Sequence, residues 1–189
     1  MSYGCGRHGS RLPGLAGLAL ALLVAGCAPF RPGTPSGPAA GGQSSTSPQD
    51  AGALIAQQAL AQSGAPYRYG GADPASGFDC SGLVSYAHSR EGISVPRTAA
   101  AQFAAARKVD ADSLQAGDLV FFRLVPGSHA VTHVGIYTGQ GRFVHAPQTG
   151  RSVGEASLDD PYYRERFAGA GRLYPDRSGE GPRLKSSPR

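Results

Sequence analysis

The stretch Thr132-His-Val-Gly-Ile-Tyr-Thr-Gly-Gln-Gly-Arg-Phe-Val-His-Ala146 decides the fold. Apolar and polar side chains alternate on both sides of Thr138-Gly-Gln-Gly141, the pattern of two antiparallel strands joined by a tight glycine turn. Alternation puts His133 on the side of Gly135 and Tyr137, and His145 on the side of Phe143. In a hairpin centred on Gly139, the two histidines face each other directly, with Cβ atoms roughly 5 Å apart. A slip of one residue would break that pairing.

Upstream, Asp118-Leu-Val-Phe-Phe-Arg123 reads as a further strand, and before it the apolar period lengthens from two to three or four. Ala51, Leu54, Ile55 and Ala59 share one face and predict a helix over 50–62, which Ser63-Gly-Ala-Pro66 stops. Residues 67–77 form a glycine-rich loop carrying aromatic side chains. A second helix is predicted from Cys80 through Leu83, Val84, Tyr86 and Ala87 to about Arg90, and a shorter one over 98–106. Downstream, 162–168 reads as one more helical turn and 172–174 as a last short strand. Helices first and antiparallel strands later argue for an α+β domain over 50–176 rather than a parallel sheet.

Both flanks of that domain differ from it in composition. Arg7, His8 and Arg11 precede the apolar run from Leu12 to Val24, which is followed by small residues and a cysteine: the pattern of a secretory signal over 1–27. Leu23-Val-Ala-Gly-Cys27 resembles the lipobox of bacterial lipoproteins, which implies Cys27 as a lipidated residue holding the chain to a bilayer. The site is then expected on the periplasmic or extracytoplasmic side, at the outer membrane if the organism has one. Residues 28–49, rich in Pro, Gly and Ser, read as a disordered linker, and 177–189 as a disordered tail. The formal net charge of +5 belongs to these ends, since residues 50–176 carry 11 basic against 12 acidic side chains. That balance leaves no basic stripe for a nucleic acid, and a monomer is expected.

Of three cysteines, Cys5 lies in the signal and Cys27 in the lipobox, so Cys80 is alone in the domain. No disulfide can form within it, and an exported lone thiol is either buried and inert or present for its reactivity. A helix N-terminus lowers a thiol pKa and so favours the nucleophilic thiolate. Such a thiol needs an imidazole to take its proton and a third group to orient that imidazole, roles that His133 and His145 fit. His129 reads as peripheral and His88 as a surface residue of the Cys80 helix. A three-ligand zinc site of Cys80, His133 and His145 is the competing arrangement, although zinc ligands commonly come in close-spaced pairs and none coincides with Cys80.

Phe78-Asp-Cys-Ser-Gly-Leu-Val84, His133-Val-Gly-Ile-Tyr137 and Phe143-Val-His-Ala146 resemble, in this order and spacing, the blocks of NlpC/p60 cell-wall cysteine peptidases. Tyr67-Arg-Tyr-Gly-Gly71, Pro96-Arg-Thr-Ala99 and Gly117-Asp-Leu-Val-Phe121 match the family's other blocks, so the resemblance spans about 50–175. It implies a papain-like α+β fold and, without a cofactor or metal, a triad of Cys80 as nucleophile, His133 as base and His145 as the orienting residue. It further implies Tyr67 beside the active site, and Asp79 and Ser81 as binders of the free amine end of a peptidoglycan stem peptide. Helix capping is the plainer role for Asp79 and Ser81. The expected reaction is hydrolysis of a stem-peptide amide through a thioester, either between D-glutamate and the diamino acid or at the cross-link. The alternatives are a catalytically silent module tethering the outer envelope to the wall, and acyl transfer to another acceptor.

Overall fold

A computed structural model describes residues 48–175. The signal, Cys27, the linker up to residue 47 and the tail lie outside them. Thirteen residues, Pro48–Leu60, form α1, which starts two positions before the expected Asp50 and ends before Gln62. A short ribbon follows, β1 (Ala72–Asp73) against β2 (Gly77–Phe78), in a stretch read as loop. Next come α2 (Cys80–Arg90) and α3 (Ala99–Ala105), both close to expectation.

The sheet then forms from β3 (Arg107–Val109), β4 (Leu119–Phe122), β5 (His133–Gly139), β6 (Arg142–His145), β7 (Gly154–Ser157) and β8 (Phe167–Arg172). Its order is β3-β8-β4-β5-β6-β7, with every pair antiparallel. The α+β class is therefore as expected. A single helical turn, α4 (Pro161–Arg164), precedes β8, so the expected helix over 162–168 is shorter and earlier, and the last strand takes in Phe167 and Ala168.

All four residues of β4 are buried, because both faces of the sheet are covered. Leu119 and Phe121 join Ile55, Leu83, Val84, Val134, Ile136 and Val144 under α1 and α2. Val120 and Phe122 meet Phe143, Tyr163 and Phe167 on the opposite face. Burying side chains of this size contributes about 1.5–3 kcal/mol each, and this two-sided core fixes the position of β5.

Immediately before β4, Asp118 is fully buried and receives Arg172 Nε at 2.6 Å and Nη2 at 2.8 Å. Tyr174 donates its hydroxyl to the same carboxylate at 3.2 Å, and Gln115 donates its N–H at 2.8 Å. The Gly117–Phe121 block thus carries a buried ion pair that ties β4 to β8.

The hairpin register departs from expectation. Gln140 and Gly141 both have positive φ, 53° and 71°, so the turn is the two-residue Gln140-Gly141 unit closed by Gly139 and Arg142. A bulge between Tyr137 and Gly139 completes the shift, and Ile136 pairs with Val144 and Tyr137 with Phe143. Continued along the strand, that register sets His145 opposite Gly135. The slip is two residues, not one, so both histidines keep the same face and become diagonal neighbours.

Candidate functional site

Cys80 opens α2. Asp79 is its N-cap, with Oδ1 accepting from the Gly82 N–H at 2.7 Å. Gly82 is needed here, since a Cβ would stand 2.0 Å from the Gly71 carbonyl oxygen. That close approach lets the Asp79 N–H bond the Gly71 carbonyl at 3.0 Å, seating the aromatic loop against the helix start.

Around the thiol is a cleft of about 490 Å³ lined by Tyr67, Asp79, Ser81 and Arg97, with Val131 and Thr132 leading into β5. Arg97 grips Asp79 with two bonds, Nη1 to Oδ1 at 3.0 Å and Nη2 to Oδ2 at 2.8 Å, and donates to Ser81 Oγ at 3.0 Å. Burial alone would raise the Asp79 carboxyl, but Arg97 and the Gly82 and Gly70 N–H groups outweigh it and hold it below the usual carboxylate range. Capping is therefore realised for Asp79, together with an ion pair that the sequence reading left out. Arg97 lies in the quoted Pro96–Ala99 block, yet it is 18 residues from Asp79 and no local period connects them.

The expected lowering of the Cys80 pKa is not found. Burial pushes the thiol up, and the Asp79 charge raises it further; the N–H groups of Val134, Ser81 and Cys80 itself oppose this without reversing it. A helix N-terminus lowers a pKa only where its dipole exceeds the desolvation cost. At neutral pH the resting side chain is a thiol.

His133 and His145 meet edge to face, with His133 Nε2 2.8 Å from His145 Nδ1. Gly135 makes room for this, because a Cβ there would fall 2.4 Å from the Phe143 ring that packs on His145. Burial lowers His133 to about 3, aided by the neighbouring ring, and burial lowers His145 to about 4. Both imidazoles are neutral at pH 7. The Tyr163 hydroxyl lies 3.4 Å from His145 Nε2, extending the row by one group that the sequence reading missed.

The structure thus brings the two histidines into contact and sets Cys80 beside β5, the strand of His133, its sulfur against the Val134 N–H and without a hydrogen bond to either ring. Among the described residues, no three His, Cys, Asp or Glu side chains converge as metal ligands. Tyr67 lines the thiol cleft, and burial together with the nearby Cys80 and Asp79 raises its hydroxyl pKa.

His129 is exposed, as expected. His88 is not a surface residue: it is fully buried, with Nδ1 bonded to the Val84 carbonyl at 2.9 Å and Nε2 unpartnered. It follows Val84 by four positions on the inward stripe of α2, a spacing that was available in the sequence.

Residues 64–172 match the NlpC/P60 family. The chain belongs to the NlpC/P60 family. Among its relatives, the bifunctional muramidase/DL-endopeptidase CwlT of Bacillus subtilis is 40% identical over 119 residues, 63% of this chain and 36% of that protein. The murein DD-endopeptidase MepH of Escherichia coli is also 40% identical, over 128 residues, 66% of this chain and 47% of that one. The chain therefore spans less than half the length of these NlpC/P60 relatives. A crystal structure of a Staphylococcus aureus protein, described as similar to lipoprotein and of the NLP/P60 family, is 38% identical and superposes with a TM-score of 0.57. That match covers 65% of this chain and 41% of the other.

Proposed function

We propose that the protein is a peptidoglycan endopeptidase that cleaves an amide bond in stem peptides by nucleophilic attack of Cys80. The observation that carries this reading is the 2.8 Å contact between two buried, neutral imidazoles, His133 on β5 and His145 on β6, where the Val134 N–H beside His133 touches the Cys80 sulfur. Relatives named as endopeptidases support it.

With Nε2 of His133 engaged by His145, Nδ1 is the nitrogen left to serve the thiol. For Nδ1 to accept a proton, Nε2–H must donate to His145 Nδ1. His145 Nε2–H then donates to the Tyr163 oxygen, so Tyr163 acts as a positioning residue that favours the productive tautomer pair. The Cys80 proton moves to His133 as sulfur attacks the carbonyl carbon, and N–H groups at the start of α2 face the developing oxyanion. The C–N bond breaks as His133 returns the proton to the leaving amine, leaving a thioester. Water, deprotonated by His133, then releases the acid and the thiol. The separation of thiol and imidazole in the free protein closes on substrate binding, as catalytic contacts commonly do.

Tyr67, Asp79 and Ser81 would hold the free amine end of the acyl half, with Asp79 shared between Arg97 and the ammonium. The lipobox around Cys27 supports anchoring at an envelope membrane, where the linker gives reach to an immobile wall. One relative is a DL- and another a DD-endopeptidase, so the bond is decided by products. Incubation with uncross-linked and cross-linked stem peptides, followed by mass analysis, separates the two cleavages. Release of neither product, with retained binding to wall fragments, would replace hydrolysis by the tethering module.

A further inference from the structure

A second cavity, of about 590 Å³, has His133 at the start of β5 and His145 in its wall. Val131 and Thr132 line the cleft with Cys80, whereas the next residue, His133, lines this cavity. In acyl transfer the acyl half stays with the nucleophile and the amine departs past the imidazole that protonates it. The histidine-walled cavity is thus on the departing side.

Its charges are unevenly satisfied. Glu155 is engaged by Thr138 Oγ1 at 2.9 Å and by Arg142 Nη2 at 3.4 Å. Asp160 uses Oδ1 to cap α4, accepting from the Tyr162 N–H at 2.8 Å. Arg151 also lines the cavity, and among the described residues no carboxylate pairs with its guanidinium. Its charge reaches the Tyr163 hydroxyl, where it partly offsets the upward push of burial and of Tyr162 and Asp160. The Arg151 backbone is fixed, for its carbonyl accepts from the Tyr67 N–H at 2.9 Å and its N–H donates to Gln148 at 3.1 Å. The segment bearing this cation is thereby attached to the wall of the thiol cleft.

We propose that this cavity receives the leaving-side diamino acid, with Arg151 binding a carboxylate on it and Asp160 facing an ammonium. The inference rests on the endopeptidase reading and adds a selectivity to it. A stem peptide whose diamino acid bears a second carboxylate is preferred over the same peptide with lysine, because only the former gives Arg151 a planar anionic partner.

The test compares kcat/KM for these two peptides in the full chain, in Arg151→Gln and in Arg151→Lys. The ratio of the two values is expected to fall about tenfold in Arg151→Gln, the effect of losing one charge-assisted contact, and to recover in part with Lys. An unchanged ratio in Arg151→Gln overturns the proposal. Calorimetric binding of both peptides to Cys80→Ala, with and without Arg151→Gln, keeps the two readings separate. If the wild type cleaves neither peptide, the hydrolytic reading fails, while an Arg151-dependent binding preference would still uphold the cavity and equal binding would refute it.

Discussion

Replacing His88 by leucine should make the domain less sensitive to acid by a calculable amount. His88 is wholly inside α2's packed face and burial pushes its pKa down to about 4, against an ordinary value of 6.5. The unfolded chain then binds a proton more readily than the folded one between these values. The associated stability is therefore fully present above pH 6.5 and is lost as pH falls toward 4. Proton linkage puts the loss at about 2.5 kcal/mol on going from pH 7 to pH 4.5. Leucine keeps the apolar contacts, deletes the unpartnered Nε2 and removes the titration. Denaturant unfolding of both proteins at the two pH values reads the difference. The wild type should lose about 2.5 kcal/mol more than His88→Leu, with the slope of the transition unchanged. Equal losses would show that His88 is charged or solvated in the folded state and would refute the burial argument.

Three further substitutions probe the frame around the site. Arg172→Met strands the Asp118 carboxylate inside the sheet and should cost about 3–5 kcal/mol, seen as a fall in thermal midpoint. Gly135→Ala drives a methyl group into the Phe143 ring and should destabilise the fold by about 1–3 kcal/mol while loosening His145, lowering kcat. Tyr163→Phe keeps the ring contacts with Phe122 and Phe143 but removes the hydroxyl from His145. It should lower kcat roughly tenfold with KM little changed, and the acid limb of the pH profile should shift as the tautomer preference is lost.

Elements with their own signals were readable in advance. Leu119–Phe122 is a continuous apolar run, and Asp79 followed by Cys80 marks a capped helix start, so β4 and α2 were placed close to where they lie. Arg107–Val109 and Gly154–Ser157 were not read as strands. They are charged or small-residue edge strands whose conformation comes from pairing with β8 and β6, not from their own preferences. The last strand was read over 172–174, whereas β8 spans Phe167–Arg172, because Gly169 and Gly171 carry no strand signal of their own; at Gly171 a Cβ would meet the Ala106 methyl at 2.7 Å.

At the site, face alternation correctly put both histidines on one side of the sheet. Their partnership was expected through direct pairing, whereas the Gln140-Gly141 turn makes it diagonal. Cys80 was expected to be acidified by its helix, but local sequence does not report how deeply the sulfur is buried. Arg97, Arg151 and Tyr163 come from segments remote from Cys80 in the chain, so only the tertiary structure brings Arg97 to the Cys80 cleft and Arg151 and Tyr163 to the cavity walled by the two histidines.

The central claim is that Cys80 attacks a stem-peptide amide, and comparing the rate of new amine-end release by wild type and Cys80→Ala tests it most directly. Removing the nucleophile of a cooperating set should lower turnover by about 10⁴-fold or more while leaving the fold and substrate binding intact. A folded Cys80→Ala protein that still cleaves stem peptides within about tenfold of the wild-type rate would contradict it.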